Sequence, residues 1–343
     1  MTRPNHSPGA QRSQGFSLIE LMVSLTIGMI IAIAGFAAYL GIASASKLAE
    51  AQGRMNEDAQ AALTILTQQL RMAGNNPDQA NRVDNANPTL SSRRNPVYLP
   101  TPTYAGYALQ PATFTLSAFT IRGCDGTFSN VQTATNIDHL TCGSGINTLP
   151  DSIAVSYEAD IFNTIPTAPT IPATARFPTD CLGKQLTTIT ATLPTSVAGV
   201  STPTDVTYAV VDNRFYIGSY SSIPSLYCKG NGINSTAQPL VENVEDMQFI
   251  YGTTGAATTV AGYLRADQIL SNADLSLLPD DATRWGKVVT VRICVLVRSA
   301  SLVVSDALSA RYNKCDGTLE TAPPDLRLRH TYSATVVLRN RRL

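Results

Sequence analysis

From Leu21 to Ser46 the chain carries no charged residue, an unbroken run of 26 positions. As a helix at about 1.5 Å per residue this run is about 39 Å long, enough to cross a bilayer with some tilt. What precedes it is polar and basic: residues 1–15 contain Arg3 and Arg12 and no acid. A secretory signal places its cleavage site after the apolar core, at small residues. Here the apolar core runs on without such an exit, and the natural cut lies before it. The apolar segment is therefore expected to stay in the mature chain, with the basic leader on the cytoplasmic side.

Glu20 interrupts the start of this block, five positions after Gly15. A carboxylate at mid-bilayer costs on the order of 2.5–3.5 kcal/mol, which makes an intramembrane acid a functional candidate by default. Near the cytoplasmic edge it would stay hydrated at lower cost. Its natural partner is a positive charge at the same depth. Cleavage after Gly15 would create one, the α-amine of Phe16, which could meet Glu20 of a neighbouring copy or its own Glu20.

Beyond the apolar run, Leu48, Ala51, Met55, Ala59, Ala62, Leu66, Leu70 and Ala73 recur at steps of three or four. That spacing is one face of an α-helix. Gly74-Asn75-Asn76-Pro77 supplies a stop, a C-cap glycine with a proline beyond. A single helix over 16–73 is expected, apolar all round at first and amphipathic afterwards. The rest reads as β. Phe114–Ile121, Ile153–Tyr157, Met247–Tyr251, Val289–Val297 and Tyr332–Leu338 alternate like strands. Val206–Val211 and Arg214–Ile217 flank Asp212-Asn213, a candidate hairpin turn. The Thr- and Pro-rich stretches 163–178 and 187–204 read as loops, and 75–112 as an irregular surface stretch. One helix followed by many strands argues α+β with an antiparallel sheet.

Six cysteines, Cys124, Cys142, Cys181, Cys228, Cys294 and Cys315, lie beyond the apolar run without a Cys-x-x-Cys. In an exported domain an even number of spaced cysteines reads as disulfides. Lys and Arg total 25 and so do Asp and Glu, so no electrostatic drive toward nucleic acid is expected. Arg327, Arg329, His330, Arg339, Arg341 and Arg342 make the C-terminus basic, and the simplest reading is solvated ends of a last strand. The three histidines, His6, His139 and His330, lack metal-ligand spacing. Asp267, Asp274, Asp280 and Asp281 do not fit an EF-hand and read as turn acids. No nucleophile, phosphate-loop or dinucleotide motif is present. The expectation is a chain that is not an enzyme, with no catalytic residue, metal or cofactor.

Gly15-Phe16-Ser17-Leu18-Ile19-Glu20-Leu21, after a short basic leader and before the apolar run, resembles the prepilin processing site. Asp180-Cys181-Leu182-Gly183, Leu226-Tyr227-Cys228, the run Pro239–Gly252 and the ending Thr335–Arg341 resemble PilW-type minor pilins. The resemblance implies a type IV pilin-like fold in three parts: a leader, 1–15, removed by the prepilin peptidase; a helix, 16–73, transmembrane over about 21–46; and a β-rich domain, 74–343. It implies methylation of the Phe16 amine and pairing of Glu20 with a neighbour's N-terminus. The implied partners are other minor pilins and the major pilin, with a tip adhesin as a further candidate. The implied location is the inner membrane of a Gram-negative cell with the domain in the periplasm, then the extracellular pilus. The alternatives are a pseudopilin of a type II secretion system and a tip adhesin or DNA-binding module. For the cysteines, each neighbouring pair brackets one local β segment, which favours Cys124–Cys142, Cys181–Cys228 and Cys294–Cys315 among 15 pairings.

Overall fold

The computed structural model describes residues 17–74, 119–143, 149–167, 176–197, 200–255 and 260–340. Gly15, Phe16, His6, Arg341, Arg342, the 75–112 stretch and most of the Phe114–Ile121 segment lie outside them. The chain divides into two compact units, Met1–Glu50 and Ala51–Leu343. One helix, α1 (Leu18–Met72), contributes to both.

In the first unit α1 is exposed on every side, with Leu18 at 78% and Ile31 at 66% of full exposure. It is the one helix among the described residues long and apolar enough to cross a membrane. In the second unit the three-four stripe is buried: Met55, Ala59, Ala62, Leu66, Leu70 and Ala73 all join the hydrophobic core. This is the amphipathic face that the spacing predicts. The helix ends at Gly74, which has φ +74° and whose N–H donates to the Ser156 carbonyl at 2.9 Å. A left-handed C-terminal glycine thus carries the chain out of the helix and onto the sheet.

The strands are β1 (Ile121–Cys124), β2 (Ser152–Ala159), β3 (Thr188–Val197), β4 (Val200–Tyr220), β5 (Ile223–Lys229), β6 (Gln238–Glu242), β7 (Val244–Thr254) and β8 (Val260–Leu264). Two short helices follow, α2 (Ala266–Ser271) and α3 (Asp281–Gly286), then β9 (Val288–Leu302), β10 (Tyr312–Asn313), β11 (Leu319–Glu320) and β12 (Arg327–Val337). The first sheet has the order β1-β2-β4-β5-β6, with β3 also paired to β4. The second has the order β12-β9-β7-β8, and β10 pairs β11 alone. All pairings are antiparallel. The architecture is α+β, a long helix packed through its second half on an antiparallel β-rich domain.

Two expectations are corrected. Asp212-Asn213 is no turn: β4 runs straight through it for 21 residues. Both side chains are buried and satisfied inside the domain, which is why polar residues are tolerated there. Stretch 187–204 is not a loop: it forms β3 and the start of β4, paired from Thr188–Ala209 to Val197–Val200. Its threonines are β-branched and suit a strand.

The core joins both sheets and the helix stripe into one cluster. Tyr251 and Trp285 meet edge-to-face at 5.0 Å within it. A Cβ at Gly123 would lie 2.0 Å from the Tyr251 hydroxyl oxygen, so only glycine allows this close approach of β1 to β7.

Candidate assembly site

The first turn of α1 is the part of the N-terminal motif that the structure describes. Ser17 precedes the helix, and its N–H donates to Glu20 Oε2 at 3.0 Å. The Leu21 N–H donates to the Ser17 carbonyl at 3.2 Å. Ser-x-x-Glu is the pattern of a capping box, in which the glutamate folds back onto the backbone N–H of the capping residue. Glu20 thus neutralises one orphan donor at the positive end of the helix. Its carboxylate is turned toward the N-terminal end of the helix. The capping pattern is legible in the spacing of Ser17 and Glu20, beside the charge of Glu20.

Past this turn the helix presents a surface without charge. Ser24 Oγ donates to the Leu21 carbonyl and Thr26 Oγ1 to the Val23 carbonyl, so these polar side chains are satisfied by their own helix. A Cβ at Gly28, Gly35 or Gly41 would meet nothing within 4 Å, so no packing among the described residues accounts for these glycines. Close approach by another helix would use them.

In the unit Ala51–Leu343, Gln69 is the polar anchor of the buried stripe. Its Oε1 accepts from Asn213 Nδ2 at 2.8 Å and from the Tyr157 hydroxyl at 3.3 Å. Asn213 Oδ1 in turn accepts the Cys181 N–H at 3.0 Å. The residue expected in a turn therefore links helix, sheet and disulfide loop. Beside it Arg214 forms a buried pair with Asp212 at 2.8 Å.

The cysteines are joined Cys124–Cys142, Cys181–Cys228 and Cys294–Cys315. The second closes a corner whose other tie is Asp180. That carboxylate accepts the N–H groups of Leu182 and Lys184 at 2.9 Å each and of Gly232 at 3.0 Å. Gly230 and Gly232 leave room for it, since a Cβ at either would come within 2.8 Å of Asp180 Oδ2.

Asp151 ties the two sheets together. Its N–H donates to the Met247 carbonyl at 2.7 Å, while its carboxylate accepts the N–H of Phe249 at 2.8 Å and of Gly126 at 3.0 Å. Burial pushes its pKa up to about 7, against these two backbone donors, with Asp125 and Asp246 adding to the rise.

Arg329 and Arg327 depart from the expectation of a solvated strand end, whereas His330 and Arg339 are exposed as expected. Arg329 is 4% exposed, and its Nε and Nη2 grip Glu245 at 2.6 and 2.9 Å while Nη1 meets Asp325 at 2.7 Å. Arg327 joins Asp325 at 3.2 Å and Arg298 joins Glu245 at 3.2 Å. These charges face one another rather than a partner. The sequence could not show this, because Glu245 lies 84 positions before Arg329.

The turn acids serve local structure: Asp280 caps α3 through the Thr283 N–H at 2.7 Å, Asp281 pairs Arg284 at 3.1 Å and Asp267 pairs Arg265 at 3.3 Å. His139 Nδ1 lies 2.7 Å from Asn136 Oδ1. Among the described residues no group of three or more His, Cys, Asp or Glu side chains could hold a metal.

Two family profiles match the chain. Residues 10–36 match the prokaryotic N-terminal methylation motif. Residues 214–340 match the type IV pilus-assembly protein W family, PilW. This second stretch starts within β4 and covers Asp246–Met247, the buried arginine network and the last strand. No curated protein and no solved structure matches. An N-terminal methylation motif joined to an apolar helix fits a membrane-anchored pilin.

Proposed function

We propose that this chain, which carries a prokaryotic N-terminal methylation motif at one end and a PilW match at the other, is a minor pilin that helps prime pilus assembly and enters the filament near its tip. The observation that carries the reading is the contrast along α1. Its first half has an apolar surface left exposed among the described residues, headed by an acid. Its second half is committed to the domain. A helix built this way is anchored in a membrane as a monomer and exchanges lipid for neighbouring helices in a filament.

In this reading the leader is removed after Gly15, the Phe16 amine is methylated, and that amine meets Glu20 of a neighbouring subunit. Before assembly Glu20 is occupied by the Ser17 N–H, so the incoming amine competes with a neutral donor and offers a charge in its place. The three disulfides suit a domain that folds in the periplasm. The partners are the other minor pilins and the major pilin, and the role is structural rather than catalytic. Deletion in the native host tests this: loss of surface pili, restored by the chain in trans, is expected. Unchanged piliation would refute the priming role.

A further inference from the structure

The outer edge of a sheet presents backbone N–H and C=O groups without partners, and proteins guard such edges with short strands, charges, prolines or bulges. The edges of the two sheets are treated unequally. β1 has four residues and includes Arg122. β3 is interrupted by Pro194, which has no N–H to donate. β6 has five residues, Pro239 and Glu242 among them, and its register shifts against β5. β8 also has five, and it shifts register against β7 beside Gly262, which has φ +137°.

β12, the outer strand of the second sheet, is the exception, with 11 residues. Its guards sit at its start, where Arg327 and Arg329 are charged and the register shifts between them. From Arg329 to Val337 the pairing with β9 continues without a break, and Thr331–Val337 holds no charge, proline or glycine. One bond sets the backbone directions. The Leu338 N–H donates to the Val289 carbonyl at 2.8 Å, in step with the Val337–Thr290 pair. Even-numbered residues therefore turn their backbone groups to β9, and odd-numbered residues turn theirs outward. The N–H and C=O groups of Ser333, Thr335 and Val337 have no hydrogen-bond partner among the described residues, and all three residues are exposed.

The same strand runs beside α1. The Tyr332 hydroxyl donates to Asn56 Oδ1 at 2.6 Å, and Asn340 Nδ2 donates to the Arg71 carbonyl at 2.9 Å. Moving from 332 to 340 along the strand, about 26 Å, moves from 56 to 71 along the helix, about 22 Å. Strand and helix are therefore parallel. Two copies joined β12 to β12 in antiparallel fashion would point these helix segments in opposite directions. In the proposed function every subunit enters its domain through this helix from the same membrane, which excludes that pair.

We infer that the outer edge of β12, through the backbone groups of Ser333, Thr335 and Val337, adds an extended strand of a different pilin subunit to the second sheet; this rests on the proposed function. The backbone selects this occupant. N–H and C=O groups that alternate along one line are met in full by another strand, as in recognition by strand addition. The side chains narrow it further. Thr331, Ser333, Thr335 and Val337 offer hydroxyl and methyl groups and no charge, so a charged strand would find no opposite charge across from it. The added strand is therefore uncharged along this stretch.

The test is photo-crosslinking in the native host, with the full chain carrying a photoreactive residue at position 335, 337 or 31 and the products identified by mass spectrometry. Strand addition predicts a product with another pilin from 335 and from 337. With the probe at 337, Thr335→Pro should lower that product by about tenfold, because proline removes an outward N–H and leaves the bonds to β9 in place. Thr335→Ala keeps the backbone and should leave the product at the wild-type level. An unchanged product in Thr335→Pro, or an equal loss in both variants, would overturn the inference. So would products formed only with a second copy of this chain or within the chain itself. Where Thr335→Pro lowers the amount of oxidised chain in the membrane, Val337→Lys with the probe at 335 decides instead. A lysine guards the edge without touching the backbone, so the product should fall, and an unchanged product overturns strand addition. Position 31 separates the two claims. Pilin crosslinks from 31 with none from 335 or 337 reject strand addition alone, and none from any of the three positions rejects the filament reading as well.

Discussion

The two halves of α1 share one helical backbone and opposite duties. The half up to Glu50 leaves its apolar side chains exposed, whereas the half from Ala51 buries Met55, Leu66 and Leu70 to 2% exposure or less. The second half therefore contributes to the stability of its unit, whereas the apolar side chains of the first half stay exposed. Changes in the first half should alter assembly and leave folding intact, and changes in the second should do the reverse.

That comparison can be sharpened by melting the detergent-solubilised full chain. The largest loss is expected from the double variant Cys181→Ser, Cys228→Ser. Its disulfide closes a loop with a separation of 47 residues, and the chain-entropy relation gives about 4 kcal/mol for such a loop. The Asn213–Cys181 tie beside it should loosen too, seen as faster proteolysis around 176–186. Next, Leu66→Ala empties a site with no exposure and should lower stability by about 2–5 kcal/mol. Ile31→Ala, in the exposed half, should leave the domain's melting unchanged. Equal effects from these two substitutions would break the division of duties.

A smaller effect is the pH dependence from Asp151. Its carboxyl titrates at 3.8 when free and at about 7 in the fold. Between these values the folded chain holds a proton that the unfolded chain has released. Its contribution to stability therefore falls as pH rises from about 4 through about 7, by at most about 1.4 kcal/mol per pH unit. The groups facing it are Asp125, Asp246 and the buried Tyr251 phenol, and Asp125 is held by Arg265 at 2.9 Å. Asp151→Asn should flatten the profile across this window. An unchanged slope would assign the pH dependence to other groups.

Much of the fold was legible because its signals are periodic. The stripe from Leu48 to Ala73 needs only the helical repeat, and Val289–Val297 only the strand repeat. What stayed hidden depends on partners far along the chain. Asp212 and Asn213 look like a turn until Arg214 and Gln69 are beside them, and Gln69 lies 144 positions away from Asn213. Stretch 187–204 reads as a loop because it is rich in Thr and Pro, and only the register shows it paired as β3 and the start of β4. At the candidate site, the sequence identified Glu20 by its charge. Its present contact is a matter of local geometry, and Gly15 and Phe16 lie outside the described residues.

In the proposed function the head of α1 drives assembly by charge pairing and leaves the folding of the domain to the second half of the helix. Glu20→Ala in the native host tests it most directly, with leader removal, domain melting and the content of sheared filaments measured on the same cells. Normal removal of residues 1–15, unchanged melting and loss of the chain from filaments are expected. A variant that enters filaments at the wild-type level would contradict it.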